Sequence, residues 1–138
     1  MSIWHLVLIR ADVDPDAVKQ VAVDLESARS VGEMAFESVE VGLRLATKVC
    51  DGLMGGLLNT GSGGEHALLV RLADEAALKN YYTAPAHSVI RRSFLCRVSN
   101  ASARLYDQAD TDPDRLEMYF DQIERIAADI MTRIDIII

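Results

Sequence analysis

One run near the start of the chain, Ile3-Trp4-His5-Leu6-Val7-Leu8-Ile9, limits the fold more than any other stretch. Its residues are β-branched, aromatic or large aliphatic, which suits a pleated strand. Side chains alternate along a strand, so His5, Val7 and Ile9 share one face and Trp4, Leu6 and Leu8 the other. A strand that is apolar on both faces needs a cover on each. One layer of helices supplies only one cover, so a second sheet or a partner is needed on the other side.

The elements that follow suit such a layer. Asp14-Pro15-Asp16 opens a helix: Asp14 caps it, Pro15 fits its first position, and Asp16 sits at its positive end. Val18, Val21, Ala22, Leu25 and Ala28 recur at helical spacing, and Gly32 permits a left-handed exit. From Phe36 to Thr47 the apolar period switches to two through Val39, Val41, Leu43 and Leu45, with Gly42 as a candidate bulge. A glycine-rich stretch, 48–64, lacks the Gly-Lys-Ser/Thr ending of a phosphate loop and leads into a strand, which leaves a long connection or a lid. Glu65 to Leu72 alternates cleanly, with His66, Leu68, Val70 and Leu72 on one face.

Asp74 then starts a helix that Pro85 interrupts, and Ala86 to Leu95 resumes the helical pattern. Arg97 to Asp107 is expected as a fourth strand. Asp112-Pro113-Asp114 begins a last helix with a stripe from Leu116 to Ile134, and Ile136 to Ile138 are expected to be tucked in or engaged. The order β-α-β-β-α-β is the ferredoxin-like motif: an α+β fold with an antiparallel sheet and an added C-terminal helix. The expected division is a barrel-like domain over 1–110 and a helical extension over 111–138. A twin sheet would cover the face carrying Trp4, Leu6, Leu8 and Leu69, so the expected partner is a second copy of the chain.

At 138 residues the chain fits one domain of modest core. A net charge of −7 argues against a nucleic-acid partner. The run Ile3 to Ile9 is too short to span a membrane and has no basic lead, so a cytoplasmic, membrane-free protein is expected. Cys50 and Cys96 stand in no metal or Cys-x-x-Cys spacing and are expected as free thiols in a reducing compartment.

Candidate chemistry gathers at Tyr81-Tyr82-Thr83-Ala84-Pro85-Ala86-His87. If the faces carrying His5 and His66 turn toward the helices, all three histidines meet His87's layer in one apolar cleft. A neutral imidazole there can act as a base, with Tyr81 as donor to a forming enolate. The competing reading is that these are buried polar side chains, satisfied by hydrogen bonds, that hold the helix break against the sheet. A three-histidine metal site is a weaker alternative, because no two of them stand at a short ligand spacing.

Three stretches together resemble the stress-responsive A/B barrel family, the dimeric α/β barrels, over residues 2–107. They are His5-Leu6-Val7-Leu8-Ile9, then His66-Ala67-Leu68-Leu69-Val70 with Asp74-Glu75-Ala76, and Tyr81 to His87, where the family typically has Tyr-x-x-His-Pro-Ala-His. Ala84 replaces the first histidine of that motif, and the glycine-rich stretch is longer than in the family. The resemblance implies a homodimer with a cleft for a small apolar or aromatic molecule and no cofactor. Most members have no established reaction. In a plant branch, the olivetolic acid cyclases, the positions matching His5, His66, Tyr81 and His87 are important, the last as general base with the tyrosine beside it. On that pattern His87 and Tyr81 would be catalytic, and His5, His66 and Tyr82 would contact the ligand. A cofactor-independent monooxygenase and a non-catalytic stress-related module stay open as alternatives.

Overall fold

The computed structural model describes residues 2–43 and 65–138. The glycine-rich stretch 48–64 with Cys50, and the end of the expected second strand, lie outside them. The described residues form an α+β fold in which β1 (Ile3–Arg10), β2 (Ser38–Gly42), β3 (Glu65–Leu72) and β4 (Met131–Ile137) make one antiparallel sheet in the order β2-β3-β1-β4. The α-helices among the described residues are α1 (Pro15–Ser30), α2 (Glu75–Thr83), α3 (Pro85–Val98), α4 (Asn100–Thr111) and α5 (Leu116–Ile130). None of these helices is long and apolar enough to cross a membrane.

Local chemistry accounts for the boundaries. The Asp14 carboxylate accepts from the Asp16 N–H at 2.9 Å at the head of α1, and past its end Gly32 adopts φ +80. Asp74 caps α2 by accepting from the Ala77 N–H at 2.8 Å. Ala84 is extended (φ −61, ψ 131), as the residue before a proline prefers, and Pro85 opens α3. The β2–β3 register runs unbroken from Ser38↔Arg71 to Gly42↔Ala67, so Gly42 is a regular strand residue and makes no bulge.

Two expectations need correction. Arg97 to Asp107 is helical: the Ser99 hydroxyl accepts from the Ser102 N–H at 3.1 Å and starts α4, which buries Ser102, Tyr106 and Ala109 at helical spacing. The three consecutive small residues Ala101, Ser102 and Ala103 leave the helical phase of this stretch weakly marked in the sequence. The fourth strand is instead β4. The last helix stops at Ile130, where the β-branched run Thr132, Ile134, Ile136 and Ile137 favours extended backbone. β4 pairs with β1 from Ile3↔Ile137 to Ile9↔Met131, and the Ile138 N–H donates to the Ser2 carbonyl at 2.9 Å. The closing isoleucines are thus engaged through their backbone, while their side chains stay exposed.

The core lies between the sheet and the helices. Ile3, His5, Val7 and Ile9 of β1 and His66, Leu68, Val70 and Leu72 of β3 point into it. Val18, Leu25, Phe94, Leu95 and Ile123 meet them from the helical side. Each such aliphatic side chain contributes about 1.5–3 kcal/mol on burial. The opposite sheet face carries Trp4, Leu6, Leu8 and Leu69, all only half-buried although they sit on the two central strands.

Candidate functional site

The break at Pro85 builds the site. In one continuous helix, residues six apart point about 120° away from each other around the axis. Because Ala84 is extended, Tyr81 in the last turn of α2 and His87 in the first turn of α3 instead meet, with ring centroids 5.0 Å apart. Tyr82 lies 5.8 Å from His87. The inward parity of β1 brings His5 beneath them, 5.3 Å from Tyr81 and 5.1 Å from Tyr82.

β4 adds a member that the sequence had left unplaced. Its register sets Asp135 beside His5 and Arg133 beside Val7. The His5 Nδ1–H donates to Asp135 Oδ1 at 2.7 Å; a carboxylate only accepts, so this contact places the proton on Nδ1. The Tyr82 hydroxyl donates to Asp135 Oδ2 at 3.0 Å and stands 3.0 Å from His5 Nδ1. A signal for Asp135 exists in the sequence. Arg133 and Asp135 share one parity in a run that otherwise consists of isoleucine and threonine.

His5, Tyr81 and His87 line one cavity between the sheet and α1 and α3. The rest of its wall is mostly apolar, including Val21, Leu25, Leu68 and Phe94. Its volume is about 60 Å³. That is room for about four waters, and less than the roughly 150 Å³ that holds a benzene. Among the described residues, His5 Nε2, the His87 imidazole and the Tyr81 hydroxyl have no protein hydrogen-bond partner, and these residues line the cavity; the fully buried side-chain atom left unpaired is Ser102 Oγ on α4. Tyr82 stands behind His5, outside the cavity wall.

His66 is placed elsewhere. It sits opposite Ile9 in the sheet, and its Nε2–H donates to the Val13 carbonyl at 3.0 Å. It is buried on the same face as His5 but is not among the residues lining the cavity, so two of the three histidines converge there. Among the described residues, no group of His, Cys, Asp or Glu side chains is arranged to hold a metal ion.

Burial sets the proton affinities. The His5 imidazole is held below its usual range by burial, against the opposing pull of Asp135. His87 is pushed down to about 4, by burial first and then by the nearby His5, Arg91 and Arg133 charges. Burial raises the Tyr81 phenol, with Tyr82 and Asp135 adding to it, and raises Tyr82 to about 12. Near neutral pH the site therefore holds two neutral imidazoles and two protonated phenols. Chemically, that is a set of hydrogen-bond acceptors and donors in a largely apolar pocket, with one imidazole backed by a carboxylate.

No protein-family model matches the chain, and no curated protein matches it significantly. Among solved structures it is similar to a dimeric ferredoxin-like protein of unknown function from Jannaschia sp. CCS1, at 13% identity over 100% of both chains with a TM-score of 0.58. A second dimeric ferredoxin-like protein of unknown function, from Thermobifida fusca YX, matches at 22% identity over 71% of this chain and 81% of its own, with a TM-score of 0.45. A hydroxynitrile lyase from Passiflora edulis matches at 17% identity over 67% of this chain and 80% of its own, with a TM-score of 0.47. The first likeness carries the fold: this chain is ferredoxin-like.

Proposed function

We propose that this chain is a self-associating protein of the stress-responsive A/B barrel type that binds a small, largely apolar molecule in the cavity between its sheet and α3. The observation that carries this reading is the convergence of His5, Tyr81 and His87 on one apolar cavity, where the Tyr81 hydroxyl and the His87 imidazole have no hydrogen-bond partner among the described residues. The three stretches quoted above support the family resemblance. In this reading His66 holds the turn after β1 through Val13 and makes no ligand contact.

A second reading, proton transfer next to a carbonyl, is favoured by the 2.7 Å contact between His5 and Asp135. A carboxylate behind Nδ1 fixes the tautomer and stabilises the imidazolium that forms when Nε2 takes a proton. His87, drawn down to about 4, is the weaker base and serves better as an acceptor at the other side of the pocket. Tyr81, held protonated, would donate to the developing oxyanion.

One titration tests both readings. With 2-butanone as probe, the imidazole proton resonances of His5 and His87 should shift saturably, and Val21→Phe, which fills the cavity wall, should abolish the shift. In D2O the same probe should exchange its α-protons faster than in buffer, and His5→Asn should remove about 10²-fold of that rate. Absence of any saturable shift overturns the cavity reading. Binding without accelerated exchange overturns only the catalytic one.

A further inference from the structure

The charges around the cavity are unlike those of the chain as a whole. The chain carries a net charge of −7, yet among the described residues the charged side chains lining the cavity are Arg91 and Arg133. We infer that the ligand is a small carboxylate, its apolar tail in the cavity and its carboxylate at the mouth between Arg91 and Arg133. This rests on the cavity reading and adds the chemical class of what enters.

The two guanidiniums are held differently. Arg91 gives Nη1 to Glu124 at 2.8 Å, which anchors it across α3 and α5. Arg133 comes from β4, opposite Val7, a cavity residue, and its guanidinium carbon lies 5.6 Å from the centre of the Tyr82 ring. Among the described residues, Arg133 has no carboxylate partner. The nearest candidate along its own strand face is Asp135, whose oxygens are taken by His5 and Tyr82. Glu124 is taken by Arg91. A planar fork with no internal acceptor is suited to bidentate capture of a carboxylate.

Size agrees with this orientation. A cavity of about 60 Å³ does not enclose a benzene-sized molecule, so a ligand of several heavy atoms must leave one end outside. The end left outside meets two cations, and the end inside meets Val7, Leu25, Leu68 and Phe94. A polar group of opposite sign on a short hydrocarbon tail satisfies both.

The test compares butyrate with butyramide, nearly isosteric and neutral, on the full chain, with 2-butanone as the reference probe for the cavity. Binding is followed by the His5 and His87 resonances. Butyrate should bind at least tenfold more tightly than butyramide. Arg133→Leu should weaken butyrate about tenfold and leave butyramide unchanged, while Arg133→Lys should restore part of the loss. Arg133 is exposed on an edge strand, so these variants are expected to fold, and an unchanged melting temperature checks it. Equal binding of acid and amide, or butyrate binding indifferent to Arg133→Leu, overturns the carboxylate assignment while 2-butanone binding keeps the cavity. Failure of all three probes overturns the assignment together with the cavity reading beneath it.

Discussion

At the scale of single residues, the fold holds His87 uncharged, and this has a consequence for stability. Its folded affinity for protons is lowered to about 4, against 6.5 for a free imidazole. Between those values the unfolded chain binds the proton and the folded chain does not, so stability rises with pH through this window and is fully present above pH 6.5. Lowering the pH from 7 to 5 should cost about 2 kcal/mol through His87 alone. Chemical denaturation of the wild type and of His87→Leu at both pH values measures it: the variant should lose less stability between them by about that amount. An identical loss in both would mean that His87 titrates normally in the folded chain. The same residues show what sequence reveals about a site. His5, Tyr81 and His87 were legible because strand parity and the proline break act over short distances. The pairing of Asp135 with His5 was not, because the two lie 130 positions apart and only the pairing of β4 with β1 brings them together.

At the scale of elements, the segment from Ser99 to Ile138 is where periodicity was ambiguous. The stripe of α5 runs through Ile126 and Ile130, and Ile134 falls four residues further on, so a helix and a strand both fit that isoleucine. Helical phase alone does not end an element; here β-branched composition does. Elements with capping residues were legible to within a few positions: α1 behind Asp14-Pro15 and α2 behind Asp74. Ser99 is such a cap as well, but it is one hydroxyl in a run of small and polar residues, Ser99 to Ala103, that leaves the helical phase weakly marked. Its role can be measured. Ser99→Ala should lower stability by about 1 kcal/mol and Ser99→Asp should keep most of it, because an aspartate caps as well as a serine. Equal denaturation midpoints for serine and alanine would show that the hydroxyl does not hold the start of α4.

At the scale of the whole molecule, the described sheet has a side covered by helices and an opposite side that none of the described helices covers, and that side is apolar. Trp4, Leu6, Leu8 and Leu69 lie on the central strands, and Ile134 and Ile136 extend the patch along β4 at 41% and 45% exposure. A face of this kind, central in its sheet, is more than the scattered surface aliphatics that any monomer carries. Two such faces packed together would form a barrel-like core and satisfy the two-sided apolarity of β1. In a two-fold pair, each substitution appears on both sides of the contact. Leu6→Asp, at the middle of β1, would therefore place two carboxylates in one dry interface, where unpaired charge is costly. By light scattering after gel filtration, the wild type should run at about twice its 15.2 kDa chain mass, and Leu6→Asp should run as a folded monomer. His5 and His87 point away from this face, so the monomer should still show their shifts with 2-butanone, weakened only as far as the cavity wall loosens. A wild type that is monomeric at micromolar concentration would mean that something other than a second copy covers the sheet. A variant that stays dimeric would move the contact to the strand edges, where β2 and β4 each leave one side of their backbone unpaired among the described residues.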